Sequence, residues 1–427
     1  MSKKKFIIKG GNSLKGNVKM SGYKNSAGPI LAASLLTEKT SIINNLPRCK
    51  DVLNLIKILE KIGAKVEWLD PHKIKINPKN IDPSKIPHDT FQKMRISVLL
   101  VGPLLARFQN FKIAHPGGDK IGIRPITTHL KALKDFGVTV KEKDGFYIFN
   151  SPKNLKGQDI VLDEFSVTAT ENIMMLASKA KGKTTIKIAA AEPQIQDLGE
   201  ILRKMGAKVK GLGTHTIEIT GRKKLSGAEF SICYDPTEAG TFLIAFAATK
   251  GEGVIENVNP SHLSLFLKKM KEIGVNFEVK KDKILVNKSG NLKPTKIQVL
   301  PYPGFPTDLQ PQVSLLLTQI KGKSLIHDPL YENRFNHMQE LRKMGADIEI
   351  TDPHRALIFG KNQLKANRIT APDIRGGVSL ILGQLVAEGK SSISNVYQVD
   401  RGHEGFDEKL RKLGANIKRV DDNKKEV

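Results

Sequence analysis

The chain has 427 residues, 39% hydrophobic and 26% charged, which suits an ordinary soluble globular protein and favours two or more domains over a single core. Lysine and arginine outnumber the acids 69 to 43, a net charge of +26 that fits nucleic acid, a membrane surface or anionic small substrates. Aromatics at 6%, with Trp68 the one tryptophan, argue against a base-stacking nucleic-acid binder, and Lys268, Lys269, Lys271, Lys280, Lys281 and Lys283 read as solvated surface.

The start, MSKKKFIIKGG, offers only Phe6 to Ile8 as an apolar run, far short of a signal peptide. The apolar stretch from Ile96 to Ala106 stops at Arg107, so no membrane span is expected. Cys49 and Cys233 stand apart, with no paired spacing and no Cys/His cluster. A disulfide framework and a structural zinc are therefore not expected, and the reducing cytoplasm is the expected compartment. The closing DDNKKEV reads as a frayed tail.

Along the chain one short unit recurs at intervals of about 70 residues. Its copies are KIGAKVE (61–67), DFGVTVK (135–141), KMGAKVK (204–210), EIGVNFE (272–278), KMGADIE (343–349) and KLGANIK (412–418). An amphipathic helix precedes each glycine, as in DVLNLIKILEKIGA, and an alternating strand follows it. Upstream, TEKTSIINN, AKGKTTIKIA, TKGEGVIENV, IKGKSLIHDP and AEGKSSISNV each set a turn before a β-branched strand, with ARFQNFKIAHP a degenerate version in the second repeat. Further upstream lies a helix apolar on most faces, as in SAGPILAASLL or GGVSLILGQLVA, and therefore buried. Each repeat reads as strand, helix, strand, helix and strand pair, an α/β fold of six βαβαββ units. Three repeats per domain are expected, with residues 1–22 and 233–427 forming one domain, 23–232 the other, and a substrate cleft between them.

Six segments carry candidate chemistry. SGYKN (21–25) places Lys24 and Asn25 before a buried helix, where a lysine and a helix N-terminus can hold a phosphate or carboxylate; capping by Ser26 or Asn25 is the plainer alternative. HPGGDKIGIRP (115–125) is a glycine-rich loop with Asp119, Lys120 and Arg124, without P-loop or Rossmann spacing. FPTDLQPQ (305–312) sets Asp308 at a helix start, where Thr307 or Asp308 could also be a cap. ENRF (332–335), DIRGG (373–377) and DRGHE (400–404) bring Arg334, Arg375 and Arg401, the residue type that grips carboxylate and phosphate in bidentate fashion.

The SGxKN turn, KMR, PGG-x-x-IG-x-RP, FPTD, ENRF, D-x-R and DRG, in this order on a sixfold repeat, resemble the UDP-N-acetylglucosamine 1-carboxyvinyltransferases from about residue 5 to about residue 420. The resemblance implies two inside-out α/β barrels and transfer of the enolpyruvyl group of phosphoenolpyruvate to the sugar 3-hydroxyl, the first committed step of peptidoglycan synthesis, with no cofactor. It assigns Lys24, Asn25, Arg95, Arg124, Arg375 and Arg401 to the phosphoenolpyruvate anion. UDP-sugar contacts fall on Arg124, Pro125, Ile126, Thr127, Thr128, Ser166, Val167 and Leu330, with Arg334 in the ENRF motif. Asp308 is implied as the base facing the sugar hydroxyl, and Lys24, Asp119, Asp308 and Arg401 as the catalytic set. No nucleic-acid or membrane partner is implied.

Asp119 stands where most members of that family carry the cysteine alkylated by fosfomycin. A desolvated carboxylic acid can donate a proton but is a poor nucleophile, so resistance to that drug is expected. Glu164 and Thr168 replace the lysine and glycine of the commoner DK-x-SVGAT pattern, and Tyr23 and Gln194 are further departures. The related 5-enolpyruvylshikimate-3-phosphate synthases share the repeat, but their Gly-Asn-Ala-Gly-Thr-type segment is missing here. A non-catalytic paralogue or anionic-ligand binding protein is the alternative of a different class.

Overall fold

The six glycines of the repeated motif all adopt the left-handed backbone that ends a helix, with φ of 106° at Gly63, 80° at Gly137, 109° at Gly206, 95° at Gly274, 94° at Gly345 and 91° at Gly414. A side chain at any of these would be strained, which is why this residue type closes each amphipathic helix before the next strand. The computed structural model describes residues 4–422. Part of the tail read as frayed, residues 423–427, lies outside them; Asp421 instead ends the strand Asn416–Asp421 and receives Lys4 Nζ at 2.5 Å.

Two units emerge. Unit 1 holds the residues up to Ser21, the short segment Asp119–Ile123, and those from Tyr234 on; unit 2 holds Gly22–Gly118 and Arg124–Cys233. The sequence reading assigned the whole glycine-rich loop to the domain 23–232, whereas Asp119–Ile123 packs with unit 1.

In unit 1 the strand Lys4–Lys9 lies antiparallel between Lys390–Ser394 and Asn416–Asp421. Lys15–Lys19 runs parallel to Glu252–Glu256, with Val18 opposite Ile255. The third sheet joins Lys296–Gln298, Gly322–His327, Arg355–Gly360 and Asp347–Asp352. In unit 2, Glu229–Ser231 pairs in parallel with Ser41–Asn44, and Asp159–Val161 does the same with Lys183–Lys187. The remaining sheet has three strands, Asn110–Ala114, Phe146–Asn150 and Thr139–Lys143, because the second repeat lacks its expected opening strand. Its sequence there is IDPSKIPHD, and Pro83 and Pro87 have no N–H to give a ladder, so short helical turns replace the strand.

The apolar helices lie inside and the sheets outside. Pro236–Ala248 and Gln310–Thr318 are buried at every position and pack with Ile374–Val386 in unit 1. Phe242 and Phe246 are fully enclosed there, each burial worth about 1.5–3 kcal/mol. Lys24–Ala33, Val101–Leu105 and Val167–Ala177 form the interior of unit 2. The sheets alternate buried and exposed residues, as in Thr216–Thr220, so one face meets solvent. No helix among the described residues is long and apolar enough to cross a membrane.

Unit 2 also encloses the carboxyl group of Glu171. Burial, and then the neighbouring Glu192, push the Glu171 carboxyl well above its ordinary range, and Glu171 Oε1 finds no hydrogen-bond donor. Folding therefore favours the protonated form of Glu171. That state is favourable below the unfolded pKa of 4.5 and is lost as pH rises through the folded value. Glu171→Gln removes the ionisation without changing shape. The variant is expected to match the intact protein in melting temperature near pH 4.5 and to exceed it by about 1–3 °C at pH 8. Calorimetry across that range checks it, and a variant that melts lower at pH 8 would contradict it.

Candidate active site

In unit 1 the turn after cis-free Pro306 starts the short helix Thr307–Leu309 without side-chain capping, so neither Thr307 nor Asp308 takes the role of cap. Thr307 Oγ1 instead donates to Asp328 at 2.7 Å. Asp308 is gripped from two sides. Arg334 Nη2 donates to Oδ1 at 2.9 Å, and Arg375 donates to Oδ2 through Nε at 3.0 Å and Nη2 at 2.8 Å. Arg334 is only 1% exposed and also donates to the Thr307 carbonyl, so its geometry is fixed by the fold.

Asp373 caps the buried helix Ile374–Val386, accepting from the amides of Arg375 and Gly376, and thereby sets the base of the Arg375 side chain. Arg375 Nη1 meets His403 Nε2 at 3.0 Å. A guanidinium can only donate, so that ring nitrogen accepts and His403 carries its proton on Nδ1. Asp235, the N-cap of Pro236–Ala248, is pushed up to about 7 by burial, against the opposing charge of Arg375. Burial likewise lowers His337 to about 3, keeping it neutral next to the Arg334 charge. His403 and Asp235 were not singled out from sequence. The DRGHE motif contains the first and a capping Asp-Pro pair the second, but neither spacing announces its arginine partner.

A second acid–arginine pair stands in the same unit. Arg401, 7% exposed, donates to Asp119 and, at 2.9 Å, to Gln398 Oε1. Leu330 is 40% exposed, and its amide donates to Asp328 at 3.1 Å. Unit 1 thus brings together Asp308, Arg334 and Arg375, and separately Asp119 and Arg401.

Unit 2 carries the remaining predicted residues. The helix Lys24–Ala33 begins after Tyr23 with no side-chain cap, which sets aside capping by Ser26 or Asn25. Lys24 is directed to the buried Asp51 at 3.1 Å, and Asn25 Nδ2 donates to the Tyr23 hydroxyl at 3.1 Å. The departure at Tyr23 therefore supplies a partner for Asn25. Arg95 donates to the carbonyls of Arg124 and Pro125. Gly118, with φ of 132°, leaves room for the Arg95 and Arg124 side chains that a Cβ would meet.

Ile126 precedes the helix Thr127–Asp135 and is buried; Thr127 begins the helix, exposed. Thr128 Oγ1 donates to Glu164 Oε1 at 3.1 Å, and His129 Nε2 meets Thr168 Oγ1 at 2.8 Å. Both substituted positions, Glu164 and Thr168, thus tie this helix to the start of Val167–Ala177, which Ser166 precedes. Burial, then Arg95, holds His129 down at about 3. Gln194 is almost fully buried and its Oε1 has no donor; nothing in the structure explains that departure.

An open groove of about 600 Å³ in unit 1, lined by Pro260, Ser264, Lys268 and Lys271, includes none of the predicted residues. A smaller one of about 300 Å³ in unit 2 includes Thr128, beside Lys131 and Asp163. Converging charge, not cavity size, marks the site.

Residues 8–410 match the family model described as EPSP synthase (3-phosphoshikimate 1-carboxyvinyltransferase). The chain is 46% identical to the UDP-N-acetylglucosamine 1-carboxyvinyltransferase of Halothermothrix orenii over 416 residues, 97% of this chain and 99% of the relative. It is 44% identical to the protein of that name from Finegoldia magna over 416 residues, 97% and 98% of the two chains. Among solved structures, the enolpyruvyl transferase NikO from Streptomyces tendae shares the fold with a TM-score of 0.88 at 22% identity, covering 98% of this chain and 99% of that one. EPSP synthase from Acinetobacter baumannii does so with a TM-score of 0.73 at 19% identity, covering 98% and 100%.

Proposed function

The chain belongs to the EPSP synthase family and, within it, to the UDP-N-acetylglucosamine 1-carboxyvinyltransferases, and we propose that it moves the carboxyvinyl group of phosphoenolpyruvate onto the 3-hydroxyl of UDP-N-acetylglucosamine, releasing phosphate. In the cell this would be the first committed step of peptidoglycan synthesis, carried out in the cytoplasm. The observation that carries the reading is the pair of acid–arginine sets in unit 1, Asp308 with Arg334 and Arg375, and Asp119 with Arg401. A protein that only bound anions would gain nothing from carboxylates in its cationic site. A reaction that moves protons next to an anion needs both.

The chemistry runs in two steps. The sugar oxygen bonds to C2 of phosphoenolpyruvate while C3 gains a proton and becomes a methyl group; then C3 loses a proton and the C2–O bond to phosphate breaks, restoring the double bond. Asp308, an acceptor fixed by three guanidinium hydrogen bonds, takes the hydroxyl proton. Asp119 gives the proton to C3. Arg401 can exchange Asp119 for the incoming phosphate or carboxylate, which moves its positive charge onto the substrate and leaves the acid able to carry a proton. Lys24, Arg95, Arg124 and Arg375 add positive charge for the phosphoenolpyruvate anion, with Asn25 beside Lys24. Ile126, Thr127, Thr128, Ser166, Val167 and Leu330 meet the UDP-sugar, and Arg334 orients Asp308.

Incubation of the protein with both substrates, followed by mass spectrometry of the nucleotide, tests the reading. A UDP-sugar heavier by one carboxyvinyl group is expected, and unmodified nucleotide after prolonged incubation would refute it.

A further inference from the structure

The turn that leads into the helix Asn336–Lys343 lies against the Asp119 segment. Glu332 Oε1 accepts from the Ile123 amide at 2.6 Å. The Asn333 amide donates to the Ile121 carbonyl at 3.1 Å, and Asn336 Nδ2 donates to the Lys120 carbonyl at 3.2 Å. Gly122, with φ of +155°, lies against the Glu332 carboxylate, whose oxygens a Cβ would overlap. The backbone favours glycine here, and a Cβ would push the Glu332 carboxylate off the Ile123 amide.

Two residues on from Glu332, the same turn supplies Arg334, the buried guanidinium that fixes Asp308. One stretch of five residues therefore holds both carboxylates, Asp308 through a side chain and Asp119 through the backbone of its own segment. Ile123 is 83% exposed, so apolar packing does little to hold that end; the hydrogen bonds must do it.

We propose that Glu332 is a positioning residue for proton transfer: by clamping the Ile123 amide it holds Asp119–Ile123 against unit 1 and keeps Asp119 in register with Arg401. Glu332 acts through Asp119 and needs no contact with substrate. The proposal rests on the transferase reading for its kinetic consequence, but its structural consequence stands apart from it.

The test compares the intact protein with Glu332→Ala, Glu332→Gln and Gly122→Ala, measuring hydrogen exchange of the peptide covering residues 119–124, melting temperature, and phosphate release from phosphoenolpyruvate with UDP-N-acetylglucosamine. A hydrogen bond to a charged acceptor protects its amide by about tenfold or more. Glu332→Ala is expected to exchange about tenfold faster in that peptide and to lose about tenfold in kcat, with KM for the UDP-sugar and melting temperature unchanged. Glutamine keeps an acceptor oxygen and should restore most of both, while Gly122→Ala should match Glu332→Ala in exchange and kcat and also melt lower, because its backbone is strained. Unchanged exchange in Glu332→Ala, or faster exchange with unchanged kcat, overturns the proposal. If the alanine variant also melts lower, failure of glutamine to restore kcat while restoring the melting temperature overturns it too. An intact protein that releases no phosphate would sink the transferase reading instead, and the exchange comparison alone would then decide whether Glu332 holds the segment.

Discussion

Asp308→Asn is expected to lower the kcat for phosphate release by about two to four orders of magnitude, the usual range for loss of a general base. Asparagine keeps one carbonyl oxygen that can still accept from a guanidinium, and Arg334 retains the Thr307 carbonyl, so the fold should survive with a modest loss of melting temperature. The amide cannot accept the hydroxyl proton. If the loss reflects chemistry, KM for the UDP-sugar should move far less than kcat, because in the proposed reaction Asp308 meets only the reacting hydroxyl. Steady-state kinetics with melting curves on the same preparations check this. A variant within tenfold of the parent would remove Asp308 from the role of base.

The second large effect concerns Asp119. Asp119→Asn cannot deliver a proton to C3 and is expected to lose about 10²–10⁴ in kcat, while Asp119→Cys, which restores an acidic and nucleophilic group, should retain measurable turnover. The parent should be insensitive to fosfomycin and the cysteine variant inactivated by it over time, since only a thiolate opens the epoxide readily. Both variants also give up the ion pair with Arg401, so exchange of residues 119–124 should be followed alongside. Equal loss of activity in the two variants, with equally faster exchange, would mean that Asp119 holds the segment and does no acid work. Rapid covalent loss of activity in the parent would contradict the drug prediction directly.

Much of the fold is legible in the sequence because it depends on local chemistry. Gly63, Gly137, Gly206, Gly274, Gly345 and Gly414 announce six helix ends, and the buried helices announce themselves by lacking a polar face. The second repeat departs from the pattern at Pro83 and Pro87, whose missing N–H groups break the ladder although the repeat spacing is kept. The alternative of capping at Ser26 and Thr307 gives way to partners remote in sequence: Cys233 lies beside the Ser26 hydroxyl, and Asp328 takes the Thr307 hydroxyl. Partner choice over such separations is decided by packing, which local spacing does not encode.

The candidate site shows the same division. The arginines and acids are visible one at a time as residue types suited to phosphate, carboxylate and protons. That Arg334 and Arg375 share Asp308, that Lys24 is directed to Asp51, and that Glu332 accepts from the Ile123 amide are facts of tertiary structure. Glu164 is instructive. Its charge looks wrong for a nucleotide site, yet its carboxylate is taken up by Thr128 on the neighbouring helix, so it tightens a joint and does not stand alone toward solvent.

The central claim is carboxyvinyl transfer to a UDP-sugar, and acceptor-dependent phosphate release measures it most directly. Phosphoenolpyruvate would be incubated with the protein alone, with UDP-N-acetylglucosamine, and with 3-phosphoshikimate. Release confined to the UDP-N-acetylglucosamine sample is the predicted result. Release with 3-phosphoshikimate and none with the UDP-sugar, or no release in any sample, would contradict it.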